Sequence, residues 1–122
     1  MQIYVCVKHV PDTAASIKIA GENGFDDKAC KFVINPYDEY GVEEAVRIVE
    51  QQGQGEVVAV TIGKEAAVSS LRSAMAMGAH RGIVVKTDSQ FLDSTLTSLA
   101  LKARTITPEV ASRLIRLLGA LP

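Results

Sequence analysis

Three short apolar runs constrain this chain more than anything else in it: QIYVCVK at residues 2–8, EVVAVTI at 56–62 and GIVVK at 82–86. Each is rich in β-branched residues and nearly continuous in hydrophobicity, as expected of strands covered on both faces in a parallel sheet. Between them the period changes. Val42, Ala45, Val46 and Val49 fall at i, i+3, i+4 and i+7 before Gly53 and Gly55 stop a helix. After Gly63 a second helix is expected from about Lys64 to Met77, with Ala67, Leu71, Ala74, Met75 and Gly78 inward. A third is expected from about Phe91 to Lys102, with Leu92, Leu96, Leu99, Ala100 and Ala103 on one face, and a last one at 108–122 behind Thr107 and Pro108. Residues 17–34 break the alternation, with two strand-like pieces around Gly21 and Gly24 that read as an inserted antiparallel hairpin. Strand–helix alternation with right-handed crossovers predicts an α/β fold: a three-layer α/β/α domain on a mostly parallel sheet, Rossmann-like and incomplete at its carboxyl end.

With 122 residues, one domain spanning 1–122 is expected. Apolar residues make up 48% and the formal charge is -1, which excludes a disordered chain and a basic nucleic-acid binder. Cys6 and Cys30 form no CxxC pair and neither lies beside a histidine at ligand spacing, so both read as reduced thiols of a cytoplasmic-type protein. The apolar run at the amino terminus is too short for a signal segment or a membrane span.

In an open α/β sheet, ligands bind beyond the carboxyl ends of the strands. Here those ends are Lys8 to Asp12, Ile62 to Ala66 and Lys86 to Ser89. Two helix starts flank them. In FVINPYDEYGVEEAVRI, residues 32–48, Asn35 is suited to cap a helix, Pro36 to open it, and Asp38 and Glu39 to offset its dipole. Gly63-Lys64 opens the other. Both starts offer N–H groups and positive dipole ends of the kind that hold a phosphate. No Walker A, GxGxxG, GxSxG, HExxH or zinc spacing occurs, so no standard catalytic constellation is present and the chain is not expected to be an enzyme. His9 ends the first strand without a sequence-visible orienter and reads as a polar loop residue. His80 falls at the far end of the sheet.

The blocks VCVKHVPDT, FVINPYDEYGVEEAVRI and GEVVAVTIGKEAAVSSLRSAMAMGAHRGIVV, in that order, resemble the amino-terminal part of the β subunit of electron transfer flavoproteins over about residues 1–103. NPYDEYGVEEA and LRSAMAMGAHRGI carry most of the likeness. The resemblance implies a fold of the adenine nucleotide alpha hydrolase-like type. It also implies a heterodimer with an α subunit that holds the redox-active FAD, serving dehydrogenases through the complex. In that family the β subunit buries an adenine nucleotide, AMP or a second FAD. The positions matching its nucleotide pocket are Cys6, Asn35, Pro36, Tyr37, Asp38 and Ile62.

The same resemblance implies a fourth strand and a phosphate loop of the type G-K-Q-x-x-D-D-D after the third helix. Only Arg104 to Thr107 stand there, too few for both. The chain therefore reads as a member with an internal deletion and an early stop, with weak or absent nucleotide affinity when isolated. Its first strand would become an uncharged sheet edge open to self-association. Two alternatives remain: a stand-alone adenine-nucleotide module of universal-stress-protein type, and a shortened form with no retained activity.

Overall fold

In the computed structural model, which describes residues 1–89 and 91–106, the three apolar runs form one parallel sheet. Its strands are β1 (Gln2–Cys6), β6 (Glu56–Gly63) and β7 (Arg81–Lys86), in the order β1-β6-β7. Ile3 lies beside Val57 and Val5 beside Ala59, while Thr61 lies beside Val84. Between β1 and β6 the chain makes two small antiparallel ladders. β2 (His9–Pro11) pairs with β5 (Phe32–Ile34), and β3 (Ile19–Ala20) pairs with β4 (Gly24–Phe25). The hairpin around Gly21 follows the expected turn chemistry, and Gly21 takes the positive φ of 69° that the turn requires. The β2–β5 ladder was not foreseen. Pro11 marked that segment as irregular, yet a proline sits without penalty at the end of a two-stranded ribbon.

Helix α1 (Pro36–Gln52) starts at the Asn35 cap and ends at Gly53, whose φ of 67° closes the last turn through an N–H donated to the Glu50 carbonyl. Helix α2 (Val68–Ala76) starts four residues later than its periodicity suggested, after a 3-10 turn at Glu65–Ala67. Ser70 joins Ala67, Leu71 and Ala74 in the interior, while Met75 is 46% exposed and Gly78 is also exposed. Both helices cover the same face of the sheet. Val42, Ala45 and Val49 of α1 and Leu71 and Ala74 of α2 pack with Val57 and Ala59, with Ile3, Val5 and Val84 at the margin. The α/β class and the parallel sheet are thus established, with one helical layer in this part of the chain.

The central strand meets the expectation of cover on both faces, since Val57 and Val58 are fully buried. The first strand does not. β1 alternates exposed and half-buried residues because, among the described residues, it is the sheet edge and its Ile3/Val5 face is the one packed against the core. The chain divides into two compact units, Met1–Lys86 and Thr87–Pro122. In the second, α3 (Ser94–Ile106) begins beyond Phe91, which is 61% exposed, because Asp93 takes the cap: its Oδ1 accepts the Leu96 N–H at 2.7 Å. Leu92, Leu96 and Leu99 are half-buried and Ala100 is buried. The Ala103 side chain and the helix expected at 108–122 lie outside the described residues.

Candidate functional site

The carboxyl end of β1 is held by the start of α1. Lys8 donates its N–H to Asp38 Oδ2 at 2.7 Å, and its carbonyl accepts the Asn35 N–H at 2.8 Å. Two residues of a helix start, Asn35 and Asp38, thus satisfy both backbone groups of Lys8, two residues beyond the end of β1. The Asn35 side chain caps the same helix, its Oδ1 accepting the Tyr37 N–H at 3.3 Å. Its backbone carbonyl accepts from Asp38 and Glu39. Pro36 has no N–H to offer, so the first four donors of α1 are either missing or committed. That differs from the expectation of a free phosphate cradle at this helix start.

Cys6 ends β1 beside this clamp, exposed and unoxidised. Desolvation of its thiol pushes its pKa above the usual range, and the Asp38 carboxylate pushes the same way. A raised pKa keeps the sulfur protonated and unreactive. Ile62 lies on the adjacent strand two residues beyond the partner of Cys6, on the same sheet face and half-buried. Tyr37 is 83% exposed. The structure therefore groups Cys6, Asn35, Pro36 and Asp38 around Lys8 and sets Ile62 one strand away. Tyr37 points its ring to solvent.

Several residues at this end were not legible in the sequence. His9 has an orienter after all: its Nδ1 shares a 2.8 Å hydrogen bond with the buried Ser70 hydroxyl, and its ring stacks on Phe32 at 4.9 Å. Burial holds its pKa below the ordinary histidine value, so the neutral form is favoured. Ser70 lies 61 positions away, and its place at i+3 from Ala67, beside Leu71 and Ala74, is the signal that could have placed it inward. On β6, the Thr61 hydroxyl is buried with no hydrogen-bond partner among the described residues. At the second helix start, Lys64 is paired with Asp27 of the hairpin at 2.6 Å, and Lys86 with Glu65. Among the described residues no group of three His, Cys, Asp or Glu is placed to hold a metal ion.

A profile of the electron transfer flavoprotein domain matches residues 24–113, spanning the clamp's Asn35 and Asp38, β6 and both sheet helices. The chain belongs to the electron transfer flavoprotein family. The Arabidopsis thaliana mitochondrial electron transfer flavoprotein subunit beta is 42% identical over 100 residues, covering 81% of this chain and 40% of the relative. The subunit beta of Syntrophomonas wolfei is 40% identical over 88 residues, covering 72% of this chain and 34% of the relative. That of Bacillus subtilis is 41% identical over 86 residues, covering 70% and 32%. The chain thus spans well under half the length of these flavoprotein β subunits. No helix among its described residues is long and apolar enough to cross a membrane.

Proposed function

We propose that this chain acts as an electron transfer flavoprotein β-type subunit in the cytoplasm, with no catalysis of its own. It binds an adenine nucleotide, AMP or FAD, and pairs with an FAD-bearing α subunit. The pair carries electrons from dehydrogenases to the respiratory chain or other acceptors. The observation that carries this reading is the clamp of Asn35 and Asp38 on Lys8, whose helix-start half lies inside the region that matches the family. It shapes the carboxyl end of the sheet, where open α/β sheets take their ligands. The reading includes a second helical layer over the Val58/Val60 face, giving the three-layer Rossmann-like arrangement.

The residues present suit the adenosine half of such a ligand better than its phosphates. Asn35 needs only its Oδ1 for the cap, which leaves the Nδ2 group as a donor. Cys6 offers a neutral thiol and Ile62 an apolar wall. Asp38 and Glu39 put negative charge at the start of α1, so phosphate groups are repelled there and belong nearer Gly63 and Lys64. When bound in the partner, FAD supplies the redox chemistry. Cys6, Asn35 and Ile62 hold and orient the nucleotide, and Asp38 keeps the helix start in register with β1.

Co-expression with an α subunit of the family, followed by native mass spectrometry, tests the proposal. A one-to-one complex carrying FAD or AMP is the expected result. A nucleotide-free chain that never meets the α subunit overturns it, and a chain that binds AMP but never pairs with the α subunit favours a stand-alone module.

A further inference from the structure

The β2–β5 ladder holds both ends of the clamp. β2 follows Lys8 directly, β5 leads directly into Asn35, and His9 lies opposite Ile34. His9, Ile34 and Phe32 share one face of this ladder, because opposed residues point the same way and alternate residues of a strand share a side. That face is turned inward: Ile34 is buried in one cluster with Leu71 and Ala74 of α2.

Helix α2 meets the ladder with one serine of its three. Ser69 and Ser73 donate their hydroxyls to carbonyls of their own segment, Ala66 at 3.0 Å and Ser69 at 3.2 Å. Ser70, in the first turn of α2 and 1% exposed, pairs its hydroxyl with His9 Nδ1 at 2.8 Å instead. The His9 ring also stacks on Phe32, with centroids 4.9 Å apart and planes 20° apart. A ring held in its plane by a hydrogen bond and on its face by a stack has little freedom to turn. The consequence reaches both helix starts, since Lys8 beside His9 gives its two backbone groups to the start of α1, while the approach to α2 runs through Gly63 and Lys64.

We propose that His9 is a positioning residue for the nucleotide end of the sheet: its bond to Ser70 locks the Lys8 clamp at the start of α1 against the first turn of α2, so that one side chain sets the two helix starts on either side of the ligand. The lock deepens the β-subunit reading and rests on it for its ligand. It is closed with the ring neutral. The groups facing the ring, Ser70 and Phe32, carry no charge. Of the charged groups on neighbouring elements, Arg72 of α2 is exposed, Asp38 is bonded to the Lys8 N–H, and Lys31 pairs with Asp12 at the far end of the ladder. Burial lowers the His9 pKa, so a proton on the ring is uncompensated where the ring lies, and acid favours a state in which the ring leaves its place for water.

The test is amide exchange of the full chain, read as protection relative to each residue's intrinsic rate, together with AMP affinity by calorimetry. His9→Ala and Ser70→Ala should each lower the protection of the Lys8 and Asn35 amides roughly fivefold, the net worth of one hydrogen bond. The His80 amide, which donates to the Val57 carbonyl at the other end of the sheet, should not change. The double variant should lose no more than either single one, because both remove the same bond. His9→Asn keeps a hydrogen-bonding atom near the place of Nδ1 and should restore the protection. Between neutral pH and the carboxylate range, protection of Lys8 and Asn35 should fall with pH in the wild type and stay level in His9→Asn, a profile that a merely space-filling ring would not give. With His9 neutral, AMP affinity should drop by the same factor in the two alanine variants and recover in His9→Asn. A wild-type chain that binds no AMP overturns the ligand half of the inference together with the nucleotide reading, and the protection data then decide the lock by themselves. The lock is overturned if Ser70→Ala leaves Lys8 and Asn35 protected, if the two single losses add, if His9→Asn is as unprotected as His9→Ala, or if the wild-type profile is flat.

Discussion

The two ends of the parallel sheet each carry a histidine, and the contrast between them separates structure from site. At the amino end, His80 is exposed and is tied to one backbone segment. Its Nδ1 accepts the Val57 N–H at 3.0 Å and its own N–H reaches the Val57 carbonyl. Beside it, Arg81 and Gln2 converge on Glu56 in a surface cluster that lowers the Glu56 pKa, the Arg81 hydrogen bond most of all. At the carboxyl end, His9 is half-buried and held by side chains from two other elements, Ser70 of α2 and Phe32 of β5. The clamp of Asp38 and Asn35 on Lys8 lies at the same end. One end is closed by its own backbone and solvated charges. The other is assembled from distant parts of the chain, and it is the end proposed above to take the nucleotide.

The comparison can be broken from the largest effect downward. Leu71 serves both ends, lying against Gly82 near the amino end and following Ser70 in α2. Leu71→Ala should cost about 2–5 kcal/mol in denaturant unfolding and loosen both ends together. Asp38→Ala should cost about 1.5 kcal/mol, the low end for a bond to a charged group because the clamp is open to solvent. It should also accelerate exchange of the Lys8 amide while the His80 amide is unaffected. Asn35→Ala removes a cap and should cost about 1 kcal/mol.

The pH dependence sharpens the contrast further. His9 has a folded-state pKa below its unfolded value, so the unfolded chain takes up the proton first. Its contribution to stability is complete above the unfolded histidine pKa and is lost as pH falls through the lower folded value. His9→Gln should remove that part of the acid-side slope in thermal melts. The smallest effect belongs to the amino end: Glu56→Gln should change stability only slightly, with the difference shrinking further as salt is added.

Much of the fold was legible because it rests on local signals. Asn35-Pro36 and Gly53 marked both ends of α1, and the apolar runs marked the three parallel strands. The errors arose where burial departed from apolarity. In α2 the buried stripe of Ala67, Leu71 and Ala74 extends to Ser70 rather than to Met75, which a list of apolar residues alone did not separate. The edge position of β1 exposed a face that its composition said was buried. At the site, Asn35 and Asp38 could be read as a helix start, but their bonds to Lys8 cross 27 and 30 residues of chain, and no periodicity encodes them. The His9–Ser70 bond is hidden for the same reason, and the partnerless Thr61 hydroxyl sits in a run that reads as simply apolar.

The central claim is that an adenine nucleotide binds at the carboxyl end of this sheet, and amide chemical-shift mapping of the full chain during titration with AMP to millimolar concentration tests it most directly. The account predicts saturable shifts confined to Cys6 through His9, Asn35 through Asp38 and Ile62 through Lys64, reduced by Asn35→Ala. Shifts centred on Glu56, His80 and Arg81, or no saturable shifts at all, would contradict it.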